Sequence, residues 1–396
     1  MTEIQHQFTM TGSSEPVISI ARTAEEKERI FRFRYAIYVE EMGKTVSSAD
    51  HSARLLFDEL DEWATIYYAS QDGQVIAAAR SNQCGVRPFP ERYKKRFQID
   101  HFADFPLSAM SYSSRLMVAR KWRHTMITAK LSGYMYRHGR KQGIRFDFVN
   151  ARPALVELYE RLGFRRYTNN FSDKDAGYQI PMVLLAEDIV HLKAVRSPFY
   201  RIAKRMDNPD VTRKWFFQNF PEHAHQFNRC LMGTEHFWQL LTSRLHSQHV
   251  GTLPLLRSLT EKERQTFLGT CTVLKCRRGE TIIRPGEQGN ELFVLLSGIV
   301  EVRGEKDGKS YSLASFGPGQ IFGEISFISS VPRTACINAL TDIELIVLTQ
   351  DFLMRLTKSM PEIASKVLLN LSLLLCKRLQ TTTRNWLDLL ETQSNN

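Results

Sequence analysis

The hydrophobic period of the chain changes along its length. Up to about residue 192, strand-like and helix-like patterns alternate. WATIYYAS and VIAAAR flank an Asp-Gly turn, and SRLMVAR and RFDFV have the composition of further strands. TMITAKLSGYMYRHGRKQG (125–143) and PALVELYERLGF (153–164) have the spacing of helices. Strands mixed with crossover helices predict an α/β mixed sheet.

The second and third parts of the chain follow other patterns. Residues 193–250 have no strand period, and prolines break short aromatic-bearing segments there, which predicts a packed helical connector. Residues 251–380 alternate β-branched runs with Pro-Gly, Ser-Gly and Asp-Gly turns, which predicts a jelly-roll-like β-roll followed by flanking helices. The predicted domains are 17–192, 193–250 and 251–380, with a polar tail at 381–396.

Composition narrows the classes of partner. The N-terminus lacks a basic start followed by an apolar run, and no apolar run is long enough for a bilayer, so we expect a cytoplasmic protein without membrane insertion. Six cysteines without paired C-x-x-C spacing indicate neither a metal site nor disulfides. Between Arg115 and Arg166, thirteen Lys/Arg stand against three acids, a local +10 of the total +11. This excess indicates an acidic partner, such as nucleic acid, a phosphate-bearing cofactor or a carrier protein, or else solvated helix faces.

FGEISFISSVPRTA (322–335) places one carboxylate and one guanidinium nine positions apart. A cyclic nucleotide presents one phosphate charge and one free ribose hydroxyl. Gly323 allows a sharp turn into a short helix whose amides face the phosphate, and Glu324 can accept from the ribose hydroxyl. Arg333 can bind a phosphate oxygen, with Thr334 and Ala335 adding donors. The alternative is a surface Glu–Arg ion pair at a corner of the roll.

Residues 253–380 resemble the cyclic nucleotide-binding domain of catabolite-activator-type regulators, cyclic nucleotide-gated channels and cyclic nucleotide-dependent kinases. FGE and PRTA match its phosphate-binding cassette, and the helix at about 361–379 matches the one that lies over the base. The resemblance implies an allosteric cyclic nucleotide, with cAMP as the first choice and cGMP as the alternative. The cassette residues are Phe322, Gly323, Glu324, Ile325, Arg333, Thr334 and Ala335.

NARPALVELYERLGFRRY (150–167) resembles the final motif of the GNAT N-acyltransferase superfamily. The resemblance implies that Asn150 closes a strand at the substrate site and that the Tyr159 phenol protonates the departing thiolate. Alternatively, Tyr159 only packs its ring against the sheet.

The motif before it departs from the superfamily. Glycines are expected after SRLMVAR to let backbone amides approach the coenzyme A pyrophosphate, but Met126 and Thr128 hold those positions. We therefore expect the phosphopantetheine of an acyl carrier protein as donor, with coenzyme A as the alternative, because acidic carrier proteins suit the basic stretch. The donor-loop residues are Arg120, Arg123, Thr125 and Thr128.

Four stretches of the first domain resemble the autoinducer (acyl-homoserine lactone) synthases and the related long-chain N-acyl amino acid synthases. They are FRFRYAIYVEEMGK, LFDELDEW, VIAAAR and SSRLMV. Tyr112 stands where the autoinducer synthases have a glutamate, so the acceptor base is open between Asp58, Glu41 and a water. Capping is the alternative role of Asp58 and Asp61. The resemblance places Asp58 and Arg115 with Tyr159 as catalytic, and it implies that the amine-acceptor side is lined by Arg34, Asp58, Asp61, Arg80 and Arg115.

The sequence therefore predicts a cyclic nucleotide-regulated N-acyltransferase that moves a long-chain acyl group from acyl carrier protein to the amine of an amino acid. A cyclic nucleotide-gated protein lysine acetyltransferase using acetyl-coenzyme A and a non-enzymatic nucleotide sensor are the alternatives. Nucleic acid is not expected as a partner, because residues 380–396 are too short for a helix-turn-helix domain. A homodimer through the C-terminal helix is a further option.

Overall fold

The computed structural model describes residues 15–223, 228–244, 253–269 and 271–394. Within these residues the chain divides into two compact units. The first comprises 15–149, 183–193 and 197–219, and the second comprises 150–182, 194–196 and the described residues from 220 onward. Among the described residues, no helix combines the length and apolar character needed to cross a membrane.

Residues 15–149 alternate strands and helices as the sequence predicts. Helix α1 begins at a capping box in which the Thr23 hydroxyl accepts from Glu26 N–H and the Glu26 carboxylate accepts from Thr23 N–H, and a π-helical turn follows it at Ala36–Glu41. The elements are β1 (Val17–Ile20), α1 (Ala24–Tyr35), β2 (Ala49–Asp50), β3 (Leu55–Leu56), β4 (Thr65–Gln71), β5 (Gln74–Gln83), α2 (Glu91–Phe97), β6 (Met110–Val118), α3 (Ile127–Lys141) and β7 (Phe146–Ala151).

The sheet of the first unit runs in the order β1–β4–β5–β6–β7. The pairs β1–β4, β4–β5 and β5–β6 are antiparallel, whereas β6 and β7 are parallel because α3 crosses between them. Asp72 (φ 50°) and Gly73 (φ 78°) form the predicted hairpin turn between β4 and β5.

Strand β6 is irregular along its second half. Its register against β5 shifts between the pairs Ser114↔Arg80 and Met117↔Ala78, and Arg115 within this interval has φ 56°, so β6 bulges there. The parallel ladder with β7 ends at the pair Tyr112↔Phe148, although β6 continues to Val118. The bulge re-aims the Arg115 side chain relative to a regular strand.

Shorter elements fill residues 150–219. A 3₁₀ turn at Pro153–Leu155 precedes the helix at Val156–Leu162, so the helix predicted from residue 153 begins later than its proline suggests. In the sheet order β10 follows β7, and Ala186 N–H after β10 donates to the Arg145 carbonyl oxygen before β7 at 2.8 Å. The elements are α4 (Val156–Leu162), β8 (Arg165–Arg166), β9 (Phe171–Asp173), β10 (Gly177–Leu185), α5 (Ile189–Ala194), α6 (Tyr200–Ala203) and α7 (Val211–Asn219).

The second unit continues with a β-roll between helices. Its two four-stranded sheets have the orders β11–β18–β13–β16 and β12–β17–β14–β15. The elements are α8 (Thr234–Arg244), α9 (Glu261–Leu268), β11 (Thr272–Cys276), β12 (Thr281–Ile283), β13 (Glu291–Ser297), β14 (Val300–Lys306), β15 (Lys309–Phe316), β16 (Ile321–Phe322), α10 (Glu324–Ser329), β17 (Cys336–Ala339), β18 (Ile343–Thr349), α11 (Gln350–Ser359) and α12 (Pro361–Ser394).

The predicted polar tail at 381–396 is wrong for the residues that the structure describes. Helix α12 continues through this region to Ser394. The sequence TTTRNWLDLL keeps apolar residues at helical spacing after Leu379, a pattern that the polar ending ETQSNN obscured.

The residues predicted as one connector are divided between the units after Asn219. In the first unit, the ring of Trp215 lies 5.0 Å from both Phe102 and Phe105, and its indole N–H donates to Asp104 Oδ2 at 2.6 Å. In the second unit, Phe237 and Trp238 belong to the core cluster of the roll. These three aromatic residues are therefore core side chains of one unit or the other.

We expect Trp215→Ala to lower the free energy of unfolding of the first unit by about 3–5 kcal/mol, because it opens a cavity and leaves Asp104 without its indole donor. Urea denaturation measures the change. Trp386→Ala is the control, because this tryptophan of α12 is exposed. Equal losses in the two variants would contradict the packing described for Trp215.

Candidate functional site

The acceptor-side residues predicted from the sequence form one ionic network in the first unit. Arg34 Nη1 donates to Asp61 Oδ1 at 2.7 Å, and Arg80 Nη1 lies 2.8 Å from Asp61 Oδ2. Arg80 also holds both carboxylate oxygens of Asp58, and Arg115 Nη2 donates to Asp58 Oδ2 at 2.7 Å. The network contains three guanidiniums and two carboxylates, so it carries one surplus positive charge.

Burial divides this network into an internal part and a surface part. The side chains of Arg34, Asp61 and Arg80 are 0%, 4% and 3% exposed, whereas those of Asp58 and Arg115 are 20% and 16% exposed. Within the network, a small molecule can therefore reach only Asp58 and Arg115 directly. The three internal side chains hold the other two in position.

Asp58 and Asp61 also have the capping role that the sequence left open. Asp58 Oδ1 accepts from Leu60 N–H at 3.0 Å, and Asp61 Oδ2 accepts from Asp58 N–H at 3.0 Å, which forms a capping box on a 3₁₀ turn. Burial raises the pKa of Asp58, but the hydrogen bonds and charges of Arg80 and Arg115 lower it more, so its pKa lies below the usual range. Asp58 is consequently a weak base.

The donor loop follows β6 in the same unit. Arg123 Nη1 lies 2.6 Å from Glu41 Oε1, so this second candidate base is also ion-paired. The left-handed residue of the loop is His124 (φ 64°), whereas Met126 has φ −71° and an exposed side chain. The Thr125 hydroxyl donates to the Trp122 carbonyl oxygen at 2.7 Å. Arg120 is exposed and Thr128 is half-buried.

Asp147 is a titratable group that the sequence analysis overlooked. It lies on β7 opposite Ser111 of β6, at the last but one pair of the parallel ladder, and Asp147 Oδ1 accepts from the Ser111 hydroxyl at 2.8 Å. Burial raises the pKa of Asp147 from 3.8 to about 7, against the lowering effect of hydrogen bonds from Ser111 and Ser113. It therefore has the basicity that Asp58 lacks.

Asn150 and Tyr159 belong to the second unit. Asn150 Oδ1 is buried without a hydrogen-bond partner among the described residues, which is unusual for an amide oxygen and leaves it able to accept from a ligand. Tyr159 on α4 is 8% exposed, and its ring contacts Phe164 edge-on with centroids 5.3 Å apart. The packing role considered for Tyr159 is thus present.

The cassette residues surround a buried ion pair in the roll. Gly323 (φ 81°) allows the turn from β16 into α10, and its close neighbour is the guanidinium of Arg333. Arg333 Nη2 donates to Glu291 Oε2 at 2.9 Å, and Nη1 donates to the carbonyl oxygens of Glu291 and Gly323 at 2.9 and 3.0 Å. Arg333, predicted from the sequence to bind a phosphate oxygen, is thus paired with Glu291, a partner that the cassette motif does not include.

The other cassette acid is also paired. Glu324 is buried, and its Oε1 accepts from Arg378 Nη1 of α12 at 2.6 Å. Phe322 stacks on Phe293 with centroids 5.1 Å apart. Ile325 and Thr334 are exposed and Ala335 is half-buried. No group of three or more His, Cys, Asp or Glu side chains suited to a metal ion occurs among the residues that the structure describes.

Comparisons with known proteins fall on the same two parts of the chain. Residues 29–188 match the family described as N-acyl amino acid synthase FeeM, and residues 273–360 match the cyclic nucleotide-binding domain family. The two matched regions are hereafter called the synthase domain and the nucleotide-binding domain. Both families are those that the sequence resembles, so this prediction is confirmed.

The curated relatives align with the cyclic nucleotide-binding part. The CRP-like cAMP-activated global transcriptional regulator of Mycobacterium tuberculosis is 33% identical over 116 residues, which are 29% of this chain and 50% of that protein. The cAMP-dependent protein kinase regulatory subunit of Mycosarcoma maydis is 31% identical over 95 residues, 24% of this chain and 18% of that protein. The chain therefore spans half the length, or less, of these relatives.

Among solved structures, the catabolite activator protein of Thermus thermophilus is 31% identical with a TM-score of 0.32, covering 35% of this chain and 63% of that chain. A cyclic nucleotide-binding domain from Methylobacillus flagellatus is 25% identical with a TM-score of 0.35, covering 40% of this chain and 86% of that chain.

Three important side chains of the synthase and nucleotide-binding domains escaped the sequence analysis. Asp147 was visible as an acid within the apolar strand FDFV, which signals a functional or specially paired group. Glu291 likewise begins the buried strand ELFVLLS. Arg378 had no such signal, because cations are common on exposed helix faces.

We expect Asp147→Asn to change how the stability of the synthase domain depends on pH. The folded pKa of about 7 lies above the unfolded value, so the stabilising contribution of the protonated carboxyl is complete below about pH 4 and is lost as pH rises through 7. Because asparagine does not ionise, the stability of the variant relative to the wild type should rise by about 1 kcal/mol per pH unit from pH 5 to 7 and should level off above pH 7. Urea denaturation at several pH values measures the difference.

Asp72→Asn is the matched control, because this aspartate lies in the exposed β4–β5 turn. Its pH dependence should follow the wild type. A constant difference between Asp147→Asn and the wild type from pH 5 to 8 would contradict the assigned pKa.

Proposed function

We propose that this protein is a cytoplasmic N-acyltransferase that transfers a long-chain acyl group from acyl carrier protein to the amine of an amino acid under the control of a cyclic nucleotide. The observation that carries the proposal is the surface end of the ionic network, where Asp58 and Arg115 alone of the five side chains reach solvent. The match to an N-acyl amino acid synthase family supports the N-acyltransferase chemistry, and we propose a GNAT-like fold for this domain.

An amino acid suits this end of the network. Its carboxylate complements the surplus positive charge of the network and can accept from Arg115, which Asp58 orients. The bulge at Arg115 supports the proposal, because non-glycine residues with positive φ concentrate at functional sites. Arg34, Asp61 and Arg80 are then positioning residues rather than ligands.

The reaction forms an amide bond and breaks a thioester. The acceptor nitrogen attacks the thioester carbonyl carbon, loses a proton, and the thiolate leaves with a proton from an acid. We propose Asp147, directly or through the Ser111 hydroxyl, as the proton acceptor, because a pKa of about 7 suits a base at neutral pH. Tyr159 is proposed as the acid for the thiolate, and the unpaired Asn150 Oδ1 is proposed to accept a hydrogen bond from the donor arm.

The donor loop supports an acyl carrier protein. Where glycine would leave the backbone open to a pyrophosphate, Met126 carries an exposed side chain, and Thr125 and Arg123 are engaged within the protein. Phosphopantetheine on a carrier protein needs no pyrophosphate cradle, and the basic stretch around Arg120 complements an acidic carrier surface.

In the regulatory half, we propose that a cyclic nucleotide places its phosphate at Arg333 and its ribose hydroxyl at Glu324. The names of the relatives in M. tuberculosis and M. maydis specify cAMP, which favours it over cGMP. The Glu324 carboxylate accepts a hydrogen bond from Arg378 of α12 in this structure. A nucleotide whose ribose hydroxyl bound Glu324 would therefore either bind beside Arg378 or displace it. A second copy of the chain would cover the exposed apolar side chains of α12, which include Leu369, Leu373, Leu379 and Trp386.

We expect purified protein to form an N-acyl amino acid faster from a long-chain acyl carrier protein than from the same acyl group on coenzyme A. Mass spectrometry identifies the product, and initial rates compare the donors at equal concentration. Equal or faster use of coenzyme A thioesters would contradict the carrier-protein donor. If a lysine-bearing protein also served as the acceptor, the protein would be a lysine acetyltransferase instead.

We expect Arg333→Gln to weaken cAMP binding by about 10- to 150-fold, because a charged hydrogen bond in a buried site contributes about 1.5–3 kcal/mol. Titration calorimetry measures the affinity. Circular dichroism checks the fold, since Glu291 loses its principal partner.

Arg303→Gln is the matched control, because Arg303 pairs with Glu301 on β14 and is absent from the cassette. It should bind cAMP as the wild type does. If Arg333→Gln binds cAMP with unchanged affinity, the proposed contact between the phosphate and Arg333 is wrong.

A further inference from the structure

The segment 150–182 of the synthase domain contacts the roll directly within the second unit. Arg166 Nη1 donates to the Val273 carbonyl oxygen at 2.6 Å, and Asn170 Nδ2 donates to the Lys275 carbonyl oxygen at 2.8 Å. Tyr178 donates its hydroxyl to Glu280. These three contacts lie on β11 and beside β12, and none of them involves a residue of the cassette at 322–335.

A fourth contact reaches the cassette itself. Arg152 Nη2 donates to the Gln288 carbonyl oxygen at 2.6 Å and lies 3.8 Å from Glu291 Oε1. The other oxygen of the same carboxylate, Oε2, accepts from Arg333 at 2.9 Å. One buried carboxylate therefore stands between the proposed phosphate arginine and an arginine of the synthase domain.

The two oxygens of the Glu291 carboxylate differ in their hydrogen bonds. Oε2 has a short hydrogen bond from Arg333, whereas Oε1 is buried without a hydrogen bond among the described residues. Charge from both Arg152 and Arg333 acts on Glu291 and outweighs the effect of burial, so its pKa lies below the usual range and it stays ionised. Glu287 also lies in this cluster, beside Arg152 and Arg333.

A phosphate at Arg333 would change this balance. The phosphate becomes a second anionic acceptor for a guanidinium that Glu291 now holds, which weakens the Arg333–Glu291 hydrogen bond and repels the carboxylate. A hydrogen bond from Arg152 to Glu291 Oε1 would then compensate the carboxylate for the weakened contact with Arg333. Closing 3.8 Å to a normal charged hydrogen bond requires a movement of about 1 Å.

Arg152 is placed so that such a movement reaches the synthase site. It follows Asn150 by two residues and is the residue before the 3₁₀ turn at Pro153–Leu155, which leads into α4 and Tyr159. Pro153 stiffens this connection. A displacement of about 1 Å at groups that position a reacting substrate can change a rate by about 10²-fold.

We propose that Glu291 is a relay through which the cyclic nucleotide phosphate at Arg333 pulls on Arg152 and repositions the segment carrying Asn150 and Tyr159. The inference rests on the proposed function for its ligand and for the roles of these two residues. It assigns Arg152 as a positioning residue that acts through the segment 150–162.

The test compares three variants of the full chain: Arg152→Gln, Arg166→Gln and Arg161→Gln. Arg166→Gln removes a contact to the roll in which Glu291 takes no part. Arg161→Gln is the matched control, because Arg161 is exposed and pairs with Glu157 within α4. Hydrogen–deuterium exchange of amides 150–162 is measured with and without cAMP, at saturation fixed by calorimetry for each protein.

In the wild type and in the Arg161 and Arg166 variants, we expect cAMP to change exchange in this segment by about fivefold or more, the lower end of usual coupling strengths. In Arg152→Gln the change should be lost although cAMP still binds. If that variant does not fold or bind, Arg152→Lys replaces it. Because a lysine lacks the fork that reaches both Gln288 and Glu291, it should reduce the change at least by half.

The outcomes separate this inference from the function it rests on. If cAMP binds and exchange at 150–162 stays the same in the wild type, the relay is wrong and nucleotide binding stands. A full response in Arg152→Gln, or an equal loss in Arg166→Gln, also refutes it. If cAMP does not bind the wild type, the proposed regulation and the relay fail together. If cAMP changes the exchange at 150–162 but no acyl transfer is detected, only the proposed catalysis is contradicted.

Discussion

The carboxylate of Glu291 is almost wholly withdrawn from water, and an unpaired charge in such a place would cost several kcal/mol. Arg333 compensates it, and the guanidinium can reach it only because Gly289 and Gly323 have no side chains. A Cβ at these glycines would lie 2.8 Å from Nη2 and 2.7 Å from Nη1. The position of the Arg333 guanidinium therefore depends on the ion pair, and the ion pair depends on two glycines. A ligand that binds Arg333 necessarily acts on this pairing.

The first unit also contains buried charged side chains that are held in ion pairs. Arg34, Asp61 and Arg80 are buried and linked through the Asp61 carboxylate, although Nε and Nη2 of Arg34 have no hydrogen-bond partner among the described residues. We infer that these three side chains fix geometry rather than meet a substrate. The surface part of the network consists of Asp58 and Arg115, and the β6 bulge places the Arg115 guanidinium beside the Asp58 carboxylate. Because ion pairs hold Asp58 and Arg115 in position, an anionic group that bound Arg115 would not have to order a flexible arginine.

Features that depend on local spacing could be predicted from the sequence. The β4–β5 hairpin followed from its Asp-Gly turn, α3 from its period, and the sharp turn into the short helix α10 from Gly323. Contacts between distant residues could not, because neither Arg152 nor Glu291 carries a local signal that names its partner. Asp147 was visible as an acid in an apolar strand, but its basicity depends on burial, which the sequence alone does not measure.

The position of a regulatory domain in the chain does not determine the path of its signal. The connector at 193–250 lies between the domains in sequence, yet its Trp215 packs in the first unit and its Trp238 in the core of the second. The segment 150–182, in contrast, bonds directly to the roll while carrying Asn150 and Tyr159. A coupling that rests on a few hydrogen bonds is worth about 1–3 kcal/mol, so a nucleotide acting through it would adjust the acyl-transfer rate within a limited range rather than switch it fully.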